Sequence, residues 1–492
     1  MTVTVDGSLD VGDVVAVARN RERVALDEQA RETMTESRRV VDDIVDANDR
    51  PVYGVNTGFG DLYDVAIDPA DGRTLQENLL AANATVGEPL PVDEVRAAML
   101  ARANVFATGY SGVRPTVVDR LCDCLNAGVH PVVGDGGNSD DYGASAGIGY
   151  VLTGEGEAFR DGRRLSADEA LREADVDPLA LEPKEGLALM DGPGLMTGRL
   201  ALAVHDAGEL LAAADLAGAF TFSLVGQMPS AFSERVTEVR PHEGDATSAR
   251  VVREVLDLDP ERDATVAQDP LSIRTIPQVH GAAREALAKA RSVAETELRS
   301  AADNPLVFPD GVVLSNGGFN GQHVAAAADA LARALVKVGH VVERRVHLYV
   351  QGRGSSPPFV AANPGLEQGL VRAHYSAASL VREAATLGTA SDRTSIVSGG
   401  QEDVQSMGTI ATDHLATTVE KLRAAVAVEL LAAIEVRRIA DVNLSPRADA
   451  IVDGLAGRID EEETTRRIDA AATLVADGTV SSLARDEGVD LP

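Results

Sequence analysis

Apolar residues recur at three- and four-residue spacing through residues 30–48, 92–107 and 112–127, and Pro131 closes the last of these runs. That spacing lines one face of a helix, so amphipathic helices are predicted in all three places. From residue 195 the pattern changes to alanine-rich stretches over roughly 195–218, 278–302, 321–350, 367–388 and 404–441, almost free of interior proline. Alanine is the best helix former and proline the worst, so these read as helices of about 20 to 38 residues and about 30 to 55 Å. Such lengths imply a bundle that extends beyond one compact domain, its small side chains allowing close packing that includes subunit contacts. Shorter helices are predicted over 461–475 and 479–486, after Asn443-Leu-Ser-Pro446. The expected fold is therefore all-α, a long parallel and antiparallel helix bundle with a loop-rich helical N-terminal domain. Its expected segments are 1–194, carrying two glycine-rich loops, then 195–442, the central long-helix bundle, and 443–492, the short C-terminal helices.

The two loops are Tyr53-Gly-Val-Asn-Thr-Gly-Phe-Gly60 and Gly134-Asp-Gly-Gly-Asn-Ser-Asp-Asp-Tyr-Gly-Ala-Ser-Ala-Gly147. The first is not a phosphate-binding P-loop, because no Lys-Ser/Thr follows it. Tyr53 is either a packed, hydrogen-bonded tyrosine or a general base whose neighbours lower its pKa. Further polar clusters are Asp191-Gly-Pro-Gly194, Gln268-Asp-Pro-Leu-Ser-Ile-Arg274, Asp303-Asn-Pro-Leu306, Ser315-Asn-Gly-Gly-Phe-Asn-Gly-Gln322 and Ser398-Gly-Gly-Gln-Glu-Asp403. Helix capping explains each one alone. Convergence of several at bundle ends would make one pocket rimmed by Arg274 and Glu402.

Charge narrows the choice of partners. The 492 residues include 77 acidic and 45 basic side chains, a net charge of −32, which repels nucleic acid and anionic membrane and leaves neither as an expected partner. Lysine occurs only at 184, 289, 337 and 421, and this acidic, lysine-poor, Ala/Val-rich composition suggests a cytoplasmic protein of a high-salt cell. Met1-Thr-Val-Thr-Val-Asp-Gly has neither the basic nor the apolar part of a secretory leader. Cys122 and Cys124 point to different sides of a helix and make no disulfide framework, and the nine histidines show no metal-ligand spacing, so no metal is expected.

Taken in order, the loops resemble those of the histidine ammonia-lyase family, the aromatic amino acid ammonia-lyases. The likeness rests on Tyr53-Gly-Val-Asn-Thr-Gly-Phe-Gly60, Gly109-Tyr-Ser-Gly112, Gly154-Glu-Gly-Glu-Ala158, Lys184-Glu-Gly-Leu-Ala188, Gln268-Asp-Pro270, Asp303-Asn-Pro-Leu306 and Gln401-Glu-Asp-x-x-Ser-Met-Gly408, and spans nearly the whole chain. It implies the fumarase/aspartase-like superfamily fold, a homotetramer with each active site built from three subunits, and a small amino acid substrate. It also implies an electrophile, methylidene-imidazolone, formed autocatalytically from Ala-Ser-Gly. Counting back from Gly154 places Asn138-Ser139-Asp140 on that tripeptide, while Ala144-Ser145-Ala146 would disrupt the spacing. An aspartate where the family has glycine crowds the attacking amide and disfavours the bent backbone. No prosthetic group is therefore expected.

The resemblance marks Tyr53, Ser139 and Glu402 as catalytic positions. It marks Asn83, Asn138, Asp140, Asp191, Gln268, Leu271, Arg274 and Phe319 as positions facing the substrate. Asn83 replaces a histidine, Asp191 an asparagine and Leu271 a tyrosine, whereas Tyr53, Gln268, Arg274, Phe319 and Glu402 are retained. The counterpart of Arg274 grips the substrate carboxylate, and that of Tyr53 removes the β-proton. The expected function is a carbon–nitrogen lyase, eliminating ammonia or an amine from an α-amino acid or betaine to give an α,β-unsaturated acid of the urocanate type. Without the electrophile, elimination is easiest from a nitrogen that is already cationic, as in ergothionase, a relative that releases trimethylamine. Asp140, Asp141 and Asp191 would suit a cation if they converge, and serve as caps or surface carboxylates if they do not. Deamination of histidine, and a non-catalytic paralogue that binds a ligand or joins mixed tetramers, are the alternatives.

Overall fold

A computed structural model describes residues 2–83, 85–137, 139–264 and 266–492. The long helices form where the pattern places them, as Gly194–Val225, Ile276–Leu298, Gln322–Val350, Val371–Thr386 and Gly408–Ala440. The first runs on past its expected end through Phe220 and Phe222, which are almost fully buried, so burial overrides the weak helix propensity of aromatic and β-branched residues. Within Glu185–Val225 an 18-residue window is apolar enough to cross a membrane by length and composition, and 83% of it is buried inside the protein, as in a core helix.

Other elements depart from expectation. Helix Pro446–Ala456 was not anticipated, although Ser445 caps it through the Ala448 amide and Pro446 opens it. Helix Tyr142–Leu152 forms in glycine-rich sequence, with Gly149 packed closely against Leu80 and Leu189, which a Cβ there would crowd. Short strands interrupt the all-α picture: Thr2–Val5 pairs in parallel with Arg23–Leu26, and Val86–Pro89 pairs antiparallel with Gly134–Gly136. Glu157–Arg160 and Arg163–Ser166 form a hairpin whose turn, Asp161-Gly162, has φ of 49° and 73°, the left-handed pair that an Asp-Gly turn supplies.

Backbone contacts divide the chain into two compact units that interleave in sequence. The first comprises Met1–His205, Ala290–Asp329 and Thr389–Asp413, and the second Asp206–Lys289, Ala330–Gly388 and His414–Pro492. At the centre of the first is helix Val92–Ala107, buried from Val95 onward. Its Arg96 donates to the carbonyls of Val17, Ala18 and Leu125, at the ends of helices Val11–Ala18 and Pro115–Ala127. A buried guanidinium thus satisfies carbonyls that the helix ends leave open.

The second unit encloses a polar network. Arg345 binds Glu429 through Nε–Oε1 at 2.5 Å and Nη2–Oε2 at 2.9 Å, both side chains being fully buried. Thr221 donates to the same Glu429 at 2.6 Å. His280 joins Arg345 to Asp215, which also accepts from Arg284 and Ser248. Burial pushes the His280 pKa down, so the neutral ring fits the pattern of Nδ1 donating to Asp215 and Nε2 accepting from Arg345. Burial alone would raise Asp215, but Arg284 and His280 hold it at about 2, leaving two cations balanced by two carboxylates.

Candidate active site

In the first unit, two compartments of about 520 and 200 Å³ share Tyr142, Phe319, Gln401 and Glu402 in their walls. Tyr53, Tyr63 and Asp191 also line the larger, and Asp140, Asp141 and Asp403 the smaller. No Lys, Arg or His lines either compartment among the described residues. The cleft is therefore acidic and aromatic, in a chain whose aromatics are only 3% of its residues.

The Tyr53 loop is held by its own polar groups. Asn56 accepts from the Val52 amide and donates to the Arg50 carbonyl and to Asn48, closing the turn. Gly60, at φ 56°, donates its amide to the Tyr53 hydroxyl at 3.2 Å. Any Cβ there would strike the Ser398 hydroxyl, so the close approach of this loop to 398–400 requires glycine. Burial raises the Tyr53 pKa, and Asp191 and Glu402 raise it further against a partial offset from the Gly60 amide. The lowering that a tyrosinate base needs is not supplied by these neighbours.

The loop at 139–141 is tied to the segment that follows Glu402. Ser139 Oγ donates to Gln405 Oε1 at 2.9 Å, and both the amide and the hydroxyl of Ser406 donate to the Asp140 carboxylate. Asp141 is buried, accepts from the Met196 amide at 2.9 Å and from Thr409 Oγ1 at 2.7 Å, and is raised by burial to about 6. Asn138 lies outside the described residues. Ala144-Ser145-Ala146 is inside helix Tyr142–Leu152.

Several residues of the sequence motifs form buried clamps beneath the cleft. Lys184 Nζ pairs with Asp303 at 2.8 Å, both fully buried, and Arg102 donates to the carbonyls of Ala188 and Ala302. Glu185, also fully buried, receives Arg114 at 2.6 Å. Asp191 sits above this cluster, 4% exposed, its carboxylate accepting from the Gly192 amide at 3.0 Å. Burial first, then Asp303, pushes its pKa up to about 7 against the pull of Arg102 and Lys184.

Because the Asp191 pKa is higher in the folded chain than in an unfolded one, folding takes up a proton. This contribution to stability is complete below pH ~4 and is lost as the pH rises through about 7. Asp191→Asn removes the titration, so the variant is expected to unfold at higher denaturant than wild type at pH 8, by about 1–2 kcal/mol, with the gap narrowing as the pH falls toward ~4. A destabilised variant at pH 8 would show that Arg102 and Lys184 need the carboxylate.

Of the other positions marked from sequence, Phe319 and Glu402 line the cleft. Burial raises the Glu402 pKa, Ser398 partly offsets it, and Asp140 adds to it. Asn83 donates to the Leu79 carbonyl at 2.7 Å, at the end of its own helix, and lines neither compartment. Gln268, Leu271 and Arg274 belong to the second unit and line neither compartment. Gln268 is exposed, Leu271 is 63% exposed, and Arg274 Nε is buried without a hydrogen-bond partner among the described residues. Sequence reasoning passed over Tyr142, Tyr63, Gln405 and Ser406. The available signal was an aromatic residue inside a Gly/Asp loop of a chain with only seven tyrosines.

Residues 9–456 match the family model described as aromatic amino acid lyase. The chain is 42% identical over 467 residues to a probable histidine ammonia-lyase of Halobacterium salinarum, covering 90% of this chain and 89% of that protein. It is 38% identical to a histidine ammonia-lyase of Caldanaerobacter subterraneus subsp. tengcongensis over 99% of both chains. Its fold superposes on the crystal structure of a tyrosine aminomutase from Streptomyces globisporus with a TM-score of 0.95 at 31% identity, covering 100% of each chain. The chain therefore belongs to the aromatic amino acid lyase family and is a carbon–nitrogen lyase resembling histidine ammonia-lyase.

Proposed function

We propose that the protein eliminates an amine from a small α-carboxylate substrate whose nitrogen carries a fixed positive charge, a betaine-type substrate, giving an α,β-unsaturated acid without a methylidene-imidazolone electrophile. The observation that carries this reading is the cleft lined by Asp140, Asp191, Glu402 and aromatic rings with no cationic side chain among the described residues. A permanent cation there relieves the repulsion and desolvation that raise Asp191 and Glu402. It also supplies the positive charge that would bring the Tyr53 hydroxyl down toward a working base. In the reaction Tyr53, its phenol proton first lost to solvent, takes the β-proton as tyrosinate, the C–H pair becomes the Cα–Cβ double bond, and the Cα–N bond breaks with its electrons leaving on nitrogen. The amine departs neutral without needing a proton. As pH rises through about 7, Asp191 ionises and cation binding strengthens.

Asp140 supports the absence of the electrophile. Cyclisation of 138–140 would require the Asp140 amide to attack the carbonyl of Asn138, beside a carboxylate anchored by two donors from Ser406. These residues do not fit the group, and no step runs through it. The assembly we infer is a homotetramer with shared sites, in which a neighbouring subunit's Arg274 would bind the substrate carboxylate.

The protein, incubated in molar salt with betaines of aromatic amino acids and separately with histidine, should release amine and a conjugated acid from a betaine. Its intact mass should equal that of the unmodified chain. Loss of two waters from residues 134–147 would sink the electrophile-free reading, and histidine turnover with no betaine turnover would sink the substrate class. The second reading, deamination of histidine, is favoured by the 42% identity to the Halobacterium salinarum protein.

A further inference from the structure

Tyr142 opens helix Tyr142–Leu152 directly after the loop that Ser406, Gln405 and Thr409 hold in place. It is one of two aromatic side chains, with Phe319, that line both compartments, so its ring is in the wall the two spaces share. Its electrostatic neighbours are Asp191, Glu402, Asp140 and Tyr53, which places the ring among the carboxylates of the cleft. No hydrogen bond joins its hydroxyl to another group among the described residues, so the ring and not the hydroxyl is what it presents to the cleft. Burial and the surrounding carboxylates raise its pKa, so it remains neutral and is excluded as a base.

A neutral ring face among several carboxylates is a site for a diffuse cation. The π face attracts a quaternary ammonium at close range, and the carboxylates add longer-range attraction without having to strip its methyl groups of a hydrogen bond they cannot make. A primary ammonium prefers the reverse arrangement, direct hydrogen bonds to carboxylates. We propose that Tyr142 is a specificity-determining residue of this cleft, its ring being the platform on which a quaternary ammonium group of the substrate rests between the two compartments. This rests on the cationic-substrate reading given above and assigns the recognition of the alkylated nitrogen to one side chain.

Choline and its uncharged carbon isostere, 3,3-dimethyl-1-butanol, separate charge recognition from shape, and their binding to the full-length protein can be followed by titration calorimetry in molar KCl. Wild type is expected to bind choline at least about tenfold more tightly than the isostere. Tyr142→Phe keeps the ring and should stay within about threefold of wild type for choline, whereas Tyr142→Leu should lose about tenfold for choline and little for the isostere. Unchanged choline affinity in Tyr142→Leu would overturn the assignment while leaving the cationic cleft intact. So would a loss in Tyr142→Phe as large as in Tyr142→Leu, since the hydroxyl would then be the contact. If wild type does not prefer choline to the isostere, both this inference and the cationic reading fall. The isostere guards against misfolding, because a leucine that unfolds the protein would weaken both ligands together.

Discussion

Tyr53→Phe is expected to lower turnover by about 10²–10⁴-fold while leaving substrate affinity within a few fold, because it deletes the group that takes the β-proton and little else. The phenylalanine ring occupies the same space and keeps the edge contact with Phe59, whose centroid lies 6.3 Å away. What it loses is the oxygen that the Gly60 amide reaches at 3.2 Å. The pH profile provides a second readout. In the free protein, burial and the charges of Asp191 and Glu402 raise the Tyr53 pKa, so free tyrosinate is scarce at neutral pH. With a cationic substrate bound, the same hydroxyl faces a positive charge, and kcat should rise with pH at a lower pH than the free hydroxyl would allow. Tyr53→Phe should abolish that limb, leaving only the effect of Asp191 ionisation on binding. Full activity in the variant would remove Tyr53 from the reaction and leave Glu402, the other raised and half-buried acid in the cleft, as the base to examine.

The distance between sequence and structure follows from which forces act locally. The long helices were legible because alanine content and three-to-four spacing are local properties, as Gln322–Val350 and Gly408–Ala440 illustrate. The hairpin over Glu157–Ser166 is equally local, since Arg160-Asp-Gly-Arg163 carries an Asp-Gly turn, but its two four-residue strands are too short to stand out in the apolar pattern. Helix Tyr142–Leu152 was not legible, because its glycines disfavour a helix and its burial, with Gly149 close against Leu80 and Leu189, is a tertiary property. Within the site, motif order brought out Tyr53, Phe319 and Glu402. It could not reveal that Asp303 and Glu185, in equally prominent motifs, are spent on Lys184 and Arg114 in buried pairs. Nor could it reveal that Ser406 grips Asp140. Those pairings depend on side chains far apart in sequence, and no pattern along one chain encodes them.

Arg345→Met is expected to destabilise the protein by about 3–5 kcal/mol, the largest single effect on folding anticipated here. The guanidinium is fully buried and forms both arms of a fork to Glu429 while also donating to His280. Methionine fills much of the volume but leaves the Glu429 carboxylate with one neutral donor, Thr221 at 2.6 Å, in a site closed to water. The other half of the network, Asp215 with Arg284 at 2.5 Å, retains its own charge balance, so the loss should remain with Glu429 rather than unravel the whole cluster. The double variant Arg345→Met/Glu429→Leu removes both charges together and should recover most of the loss, since replacing a buried pair by apolar groups costs far less than orphaning one member. Urea unfolding in molar KCl at pH 7 would measure all three proteins, provided each unfolds in a single transition. A single variant losing less than about 1 kcal/mol would mean that water or a rearranged side chain already reaches Glu429. A double variant as unstable as the single would mean that packing, and not the uncompensated charge, is what Arg345 contributes to this part of the fold.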